Sequence, residues 1–383
     1  MTIQVWDYRA EYESERQEIL QAVDEVFRSG RLILGERVRR FESAFSEYCG
    51  LQHGIGVNSG TDALFLGLKA LGVGPGDEVV TVSNTAVPTV SSICAAGATP
   101  RFVDIDPDTY LMNVDLLEAA ITPRTKCIVP VHLFGQCVRM EEVQVVAERH
   151  GLRVFEDCAQ SHGAERRGVK AGAMADLSAF SFYPTKILGG YGDGGMVCTN
   201  NAELAARLKR LRTYGMDYPE RYSDLYGLES TYYAHEAGYN SRLDEVHAAI
   251  LLTKLPKIGH YIERRRAMAS RYDALLGDTE LVLPVIDRDN LHAYYLYVCR
   301  HLQRDFIVAE LAKRDIVVKV DYPWPVHVMP AYAWLGYREG DLPETELAAR
   351  EIFSLPMYPT LQEREQDHVC ASLREILASA DRG

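Results

Sequence analysis

Apolar residues along this chain follow two rhythms. Between residues 11 and 29, Ile19, Leu20, Val23, Val26 and Phe27 fall on one face at helical spacing, and Ser29-Gly30 closes the element. After Gly35 a second helical stripe runs through Val38, Phe41, Phe45 and Tyr48. Both stripes are suited to core or subunit packing. From Glu78 to Gly151 the rhythm alternates. Strand patterns at Glu78–Val82, Arg101–Ile105 and Lys126–Val131 are separated by helical runs near 86–96, 113–120 and 140–149. Alternation of this kind predicts an α/β fold with a mainly parallel sheet flanked by helices, its ligands at the carboxyl ends of the strands.

Further on, a helix is predicted over Ala202–Arg212 and another over Asp244–Leu255. Between them, residues 213–239 are irregular and crowded with tyrosines: Tyr214, Tyr218, Tyr222, Tyr226, Tyr232, Tyr233 and Tyr239. Long loops of this sort in compact domains are functional or disordered, and the aromatic content argues against disorder. The amphipathic stretch Lys257–Leu276 reads as a connector. It divides the chain into a large domain over 1–256 and a small α+β C-terminal domain over 257–383. The small domain has strand patterns at Tyr294–Arg300 and Ile316–Val320 and helices near 304–313, 344–353 and 362–379.

The chemistry concentrates between Arg153 and Thr199. The apolar run Arg153-Val154-Phe155-Glu156-Asp157 ends on a carboxylate, and Leu177-Ser178-Ala179-Phe180-Ser181-Phe182-Tyr183-Pro184-Thr185-Lys186 ends on an amine. Pyridoxal phosphate chemistry needs such a pair. The lysine condenses with the cofactor aldehyde, and the carboxylate keeps the ring nitrogen protonated so that the ring accepts electrons. Upstream, Asn58-Ser59-Gly60-Thr61-Asp62 joins a short strand to a helix, where free N–H groups and the helix dipole can hold an anion. Alone, that turn reads equally well as an ordinary helix cap. Gly190-Tyr191-Gly192-Asp193-Gly194-Gly195 has the spacing of a dinucleotide fingerprint, but Met196-Val197-Cys198-Thr199 after it is a strand pattern. The fingerprint must open a helix, so nicotinamide binding is rejected and the glycines read as a flexible loop. His132, at the end of an apolar strand, reads as a satisfied buried histidine.

Three stretches together carry a family resemblance: Glu156-Asp157-Cys158-Ala159-Gln160-Ser161-His162-Gly163-Ala164, Ser181-Phe182-Tyr183-Pro184-Thr185-Lys186 and the glycine loop. With other matches from about residue 30 to about residue 360, the chain resembles the sugar aminotransferases, pyridoxal-phosphate enzymes of nucleotide-sugar metabolism on the aspartate-aminotransferase fold I. The resemblance implies that Lys186 carries the cofactor, Asp157 pairs with its ring nitrogen and Gln160 touches its phenolic oxygen. It implies a phosphate site built from Gly60, Thr61, Asp62, Ser181 and, from the partner subunit of a homodimer, Asn240, which lies in the Tyr239-Asn240-Ser241-Arg242 motif. His162, Tyr214, Tyr322 and His327 become substrate candidates, the last two in the proline-stiffened loop Tyr322-Pro323-Trp324-Pro325-Val326-His327, where Trp324 also suits core packing.

Within the family, Ser83-Asn84-Thr85-Ala86-Val87-Pro88-Thr89 is similar to the branch acting on 3-keto-6-deoxyhexoses, although Ala86 stands where relatives stack an aromatic ring on the cofactor. The implied reaction moves an amino group from glutamate to the C3 keto group of a nucleotide-linked, dTDP-type sugar in deoxysugar biosynthesis. A 4-keto sugar, an inositol ketone or a catalytically silent regulatory role are the alternatives. A dehydratase of the same fold has histidine in place of Lys186.

Composition changes little of this. A chain of 383 residues, 47% hydrophobic and 25% charged, is an ordinary globular protein long enough for two cores. Its net charge of −13 argues against nucleic-acid binding while allowing a local basic pocket for a diphosphate. Neither a membrane span nor a signal-peptide core is visible, and the eight cysteines form no Cys-x-x-Cys pair. The expectation is therefore a cytoplasmic protein with reduced thiols and no metal site.

Overall fold

A computed structural model describes residues 2–217 and 233–380. Tyr218, Tyr222, Tyr226 and Tyr232 of the tyrosine-rich segment lie outside these residues. The strands are β1 (His53–Val57), β2 (Glu78–Val82), β3 (Thr99–Val103), β4 (Thr125–Ile128), β5 (Arg153–Asp157), β6 (Glu165–Arg166), β7 (Val169–Lys170), β8 (Leu177–Ser181), β9 (Gly195–Thr199), β10 (Asn290–Leu291), β11 (Tyr297–Arg300) and β12 (Ile352–Leu355). The helices are α1 (Tyr8–Ser29), α2 (Glu36–Cys49), α3 (Gly60–Ala70), α4 (Val87–Ala95), α5 (Met140–His150), α6 (Ala202–Leu211), α7 (Glu245–Lys254), α8 (Ile258–Leu276), α9 (Arg304–Ala312), α10 (Pro343–Glu351) and α11 (Glu363–Ala380).

The main sheet has seven strands in the order β1-β9-β8-β5-β4-β2-β3. All neighbours are parallel except β9, which runs antiparallel to both β1 and β8. Both faces are covered. Val80, Ile128, Val154 and Phe180 pack on one side with α2 and α5, while Val79, Cys127, Phe155 and Ala179 pack on the other with α3 and α6. Adjacent residues of one strand thus point into different cores, which is why the strands read as continuous apolar runs. Lying side by side, β5 and β8 bring their carboxyl ends, and with them Asp157 and the segment leading to Lys186, to one rim of the sheet.

A second core surrounds the two-stranded sheet β11-β12, with α8, α9 and α11 packed on it. Ile3 from the chain's start joins this core and pairs with Ile316. The run Ile316–Val320 makes isolated bridges and no strand, and the helix expected near 344–353 stops at Glu351, where Ile352–Leu355 forms β12. A short apolar run fits either element, and here pairing with β11 decides. The helical run near 113–120 is two 3₁₀ turns, Val114–Leu116 and Glu118–Ala120.

After Lys186 the glycines are closely packed, in contrast to the flexible loop expected. A Cβ on Gly190 would lie 1.9 Å from His247 Nε2 on α7. Tyr191 sets its ring edge-on against Tyr8 and Tyr12 of α1, with the Lys254 ammonium 5.2 Å from the ring centroid. These contacts fix the loop from two helices at once.

Candidate active site

Asp157 ends β5 and is almost fully buried. Its Oδ2 accepts a 2.8 Å hydrogen bond from the Thr89 hydroxyl, and its Oδ1 accepts the Ala159 N–H at 3.1 Å. Burial pushes this carboxyl above its ordinary value, while the Ala159 N–H, the Thr89 hydroxyl and the nearby Lys186 cation pull the other way. Lys186 sits in the turn after β8, its Nζ 4.6 Å from the centroid of the Tyr295 ring. Burial raises the Tyr295 phenol, but the cations of Lys186 and Lys319 and a 3.0 Å bond with Thr185 outweigh it and leave the phenol below its ordinary value.

Gln160 is held at both ends. Its Oε1 accepts the Phe134 N–H at 2.9 Å, and its Nε2 donates to the Tyr322 hydroxyl at 2.9 Å. Tyr322 therefore meets the main-sheet rim through Gln160. Next to it, the carboxylate of the buried Asp321 lies 3.0 Å from Lys319 Nζ.

At the start of α3, Ser59 caps the helix by accepting the Asp62 N–H at 3.0 Å. The first N–H groups after it have no carbonyl inside the helix to receive them. A Cβ on Gly60 would lie 2.6 Å from Ser181 Cβ, so the turn presses against the end of β8. The Asp62 carboxylate faces another way and accepts from Ser241 at 2.7 Å.

Two candidates are placed differently from what their residue types suggest. His162 is fully buried, its ring packed among Phe45, Phe180 and Phe182. Neither ring nitrogen makes a well-formed hydrogen bond, although the Ser181 backbone lies close enough to favour the charged form slightly. Burial, helped by the Lys186 charge, brings its pKa down to about 3. It is a core residue beneath the site, closed to substrate. His327 is also fully buried, with Nδ1 2.8 Å from Ser83 Oγ and Nε2 3.2 Å from Glu346 Oε1. Trp324, by contrast, is 69% exposed.

Tyr214 and Asn240 lie on a surface ladder in which Thr213 pairs with Asn240, and neither side chain hydrogen-bonds to the Asp157–Gln160–Lys186 group. The guanidinium of Arg242 lies 5.9 Å from the Tyr214 ring centroid. The helix cap of α7 is Asp244, so Asn240 does not serve there. His132 is satisfied as expected. Its Nδ1 accepts the Val138 N–H at 3.1 Å and its Nε2 is 2.8 Å from Glu156. Cys158 completes a group of ligand-type atoms within 4.8 Å of one another, but His132 and Glu156 are already hydrogen-bonded and burial pushes the Cys158 thiol well up. All eight cysteines are unpaired.

Nothing in the hydrophobic pattern singles out Thr89, Tyr295, Lys319 or Asp321. Thr89 meets Asp157 and Tyr295 meets Lys186 through long-range packing, and Lys319 and Asp321 join them beside Tyr295 and Tyr322. The strand-end position of Ser83–Thr89 was the one available signal.

The residues fit pyridoxal phosphate. The buried Asp157 carboxylate lies within reach of the Lys186 charge, the α3 start abuts the end of β8, and a cationic ring nitrogen would offset the cost of burying Asp157. This fold and site fit an enzyme of the pyridoxal-phosphate class. The model of the DegT/DnrJ/EryC1/StrS aminotransferase family matches residues 13–374, and the chain belongs to that family. Over 382 residues it is 52% identical to the dTDP-3-amino-3,4,6-trideoxy-alpha-D-glucose transaminase of Micromonospora megalomicea subsp. nigra, covering 98% of this chain and 99% of that one. It is 43% identical to a protein of Geobacillus stearothermophilus described as a pleiotropic regulatory protein, covering 98% and 99% of the two chains. The crystal structure of S. venezuelae DesV in complex with a ketimine intermediate superposes with a TM-score of 0.92 at 41% identity, covering 98% of each chain. The chain is a transaminase, and its cofactor is pyridoxal 5′-phosphate.

Proposed function

We propose that the chain transfers an amino group from glutamate to the C3 keto group of a dTDP-linked keto-6-deoxyhexose. The observation that carries this reading is Asp157 at the end of β5 with Lys186 in the turn after the adjacent β8, in a chain 52% identical to a transaminase named for a dTDP-3-amino sugar. When bound, the cofactor supplies an aldehyde for the amine and an electron sink for the reacting carbon. Lys186 anchors it and, once freed by the amino donor, takes and returns the proton at the substrate carbon. Asp157 holds the ring nitrogen protonated, with Thr89 orienting the carboxylate. Gln160 would contact the ring oxygen, and Gly60, Thr61 and Ser181 would hold the phosphate, with the Asp62 side chain, held by Ser241, bracing the turn.

A homodimer completes the site in this reading, with Asn240 of one protomer closing the phosphate pocket of the other. Its support is that Asn240 is exposed and its side chain has no hydrogen-bond partner among the described residues, while Leu20 and Phe27 of α1, 48% and 61% exposed, offer apolar surface for a two-fold contact. No helix among the described residues is long and apolar enough to cross a membrane. A regulatory role, suggested by the Geobacillus relative, is disfavoured because a silent relative has no need of both Lys186 and Asp157.

The test is to incubate the purified protein with glutamate and a panel of 3-keto and 4-keto nucleotide sugars, then identify products by mass and NMR. Amination of the 3-keto substrate is expected. Turnover of 4-keto sugars alone would overturn the assignment of the carbon, and no amination of any member would overturn the nucleotide-sugar substrate class.

A further inference from the structure

The loop carrying Tyr322 is fastened at two places. At one end, the Tyr322 hydroxyl accepts from Gln160. At the other, three bonds converge on Ser83, the residue after β2. The Val326 N–H donates to the Ser83 carbonyl at 3.3 Å, the His327 N–H donates to Ser83 Oγ at 2.9 Å, and the Ser83 hydroxyl lies 2.8 Å from His327 Nδ1. With Ser83 Oγ accepting the His327 backbone N–H, its own O–H can donate to Nδ1. That leaves the Nε2 proton for Glu346, 3.2 Å away. Glu346 is itself fixed, since its carboxylate accepts the Gly340 N–H at 2.8 and 3.0 Å and the Leu342 N–H at 3.3 Å.

Two prolines between Tyr322 and His327 fix their own φ and carry no N–H, which narrows the ways the intervening stretch can absorb a shift at His327. Ser83 is just as stiffly joined to the cofactor side. The Thr85 hydroxyl lies 2.8 Å from that of Thr89, which donates to Asp157.

We infer that His327 is a positioning residue: clamped between Ser83 and Glu346, it sets the Tyr322 loop against Gln160 and the Asp157 rim without touching substrate. Direct contact would require a fully buried ring, with both nitrogens engaged, to leave both partners. The inference rests on the assignment of Lys186, Asp157 and Gln160 to the reacting site, and its test separates the two.

The experiment compares holoenzyme carrying Ser83→Ala, Glu346→Gln, His327→Asn, His327→Ala and Tyr322→Phe, alone and in pairs. It reads kcat/KM for the keto sugar, the absorbance band of the bound cofactor, and hydrogen exchange across residues 320–328. Ser83→Ala keeps the imidazole, yet should lower kcat/KM about tenfold, speed loop exchange and perturb the cofactor band. His327→Asn, which keeps an acceptor near Nδ1, should fall between wild type and His327→Ala. The Ser83→Ala/His327→Ala double variant should lose no more than His327→Ala alone, and Tyr322→Phe should absorb most of the His327→Ala loss. Should His327→Ala fail to fold, Ser83→Ala and Glu346→Gln carry the test. Wild-type loop exchange and kcat/KM in both of these would overturn the inference, as would losses that simply multiply in the double variants. Normal turnover in Lys186→Ala would instead overturn the site assignment beneath it.

Discussion

The Thr89 hydroxyl donates to Asp157 Oδ2 across 2.8 Å, joining the start of α4 to the end of β5. Asp157→Asn should still bind cofactor but lose about 10²-fold in kcat, because a neutral amide cannot hold the ring nitrogen protonated. Thr89→Val should cost only about twofold to tenfold, the worth of one hydrogen bond. Steady-state kinetics at saturating cofactor would check both. A rate for Asp157→Asn within a few-fold of wild type would mean that the carboxylate is a turn residue and not the ring partner.

Gly190 and His247 make a second testable pair. With a Cβ 1.9 Å from His247 Nε2, Gly190→Ala should displace the ring, lower Tm by several degrees and weaken cofactor binding. Adding His247→Ala makes room, so the double variant should be more stable than Gly190→Ala alone. Thermal melts of all three variants decide it. A double variant as unstable as the sum of its parts would show that the loop is held by something other than this contact.

His162 sets a pH dependence. Its pKa is about 3 in the folded chain and near the ordinary 6.5 when unfolded, so between these values the unfolded chain binds more protons. Stability is therefore complete above about pH 6.5 and falls as pH drops toward 3, by at most about 1.4 kcal/mol per pH unit for this group. His292, also buried and brought to about 3, adds a second proton over the same window. Denaturant melts from pH 7 to pH 4 should show a slope one proton shallower in His162→Leu. An unchanged slope would mean the histidine is protonated in the folded state.

Shared sites can be tested by mixing two inactive proteins, Lys186→Ala and Asn240→Asp. If Asn240 closes the partner's pocket, subunit exchange creates heterodimers with one site holding both native residues, and part of the activity returns. If Asn240 acts within its own chain, every site keeps a lesion. No recovery after demonstrated exchange, with Asn240→Asp folded and inactive alone, sinks the shared-site dimer.

The sequence alone determined the alternation of strands and helices over Glu78–Gly151, apart from the 3₁₀ turns near 113–120, and the placing of Asp157 at a strand end, while Lys186 falls in the turn after β8 and not on the strand itself. These depend on local rhythm: strands buried on both faces read as apolar runs, and a polar residue closing such a run marks the sheet's rim. Tertiary structure decided everything that depends on which side chains meet across long distances. Ile352–Leu355 became a strand because β11 was there to pair with it. Tyr295 reached Lys186 across more than a hundred residues, and Thr89 reached Asp157 across 68. Most clearly, His162 and His327 are residue types that suggest chemistry, yet both are fully buried. Burial is set by what the rest of the chain packs around a ring, and three phenylalanines and a serine–glutamate clamp from distant segments are not visible in the residues beside each histidine.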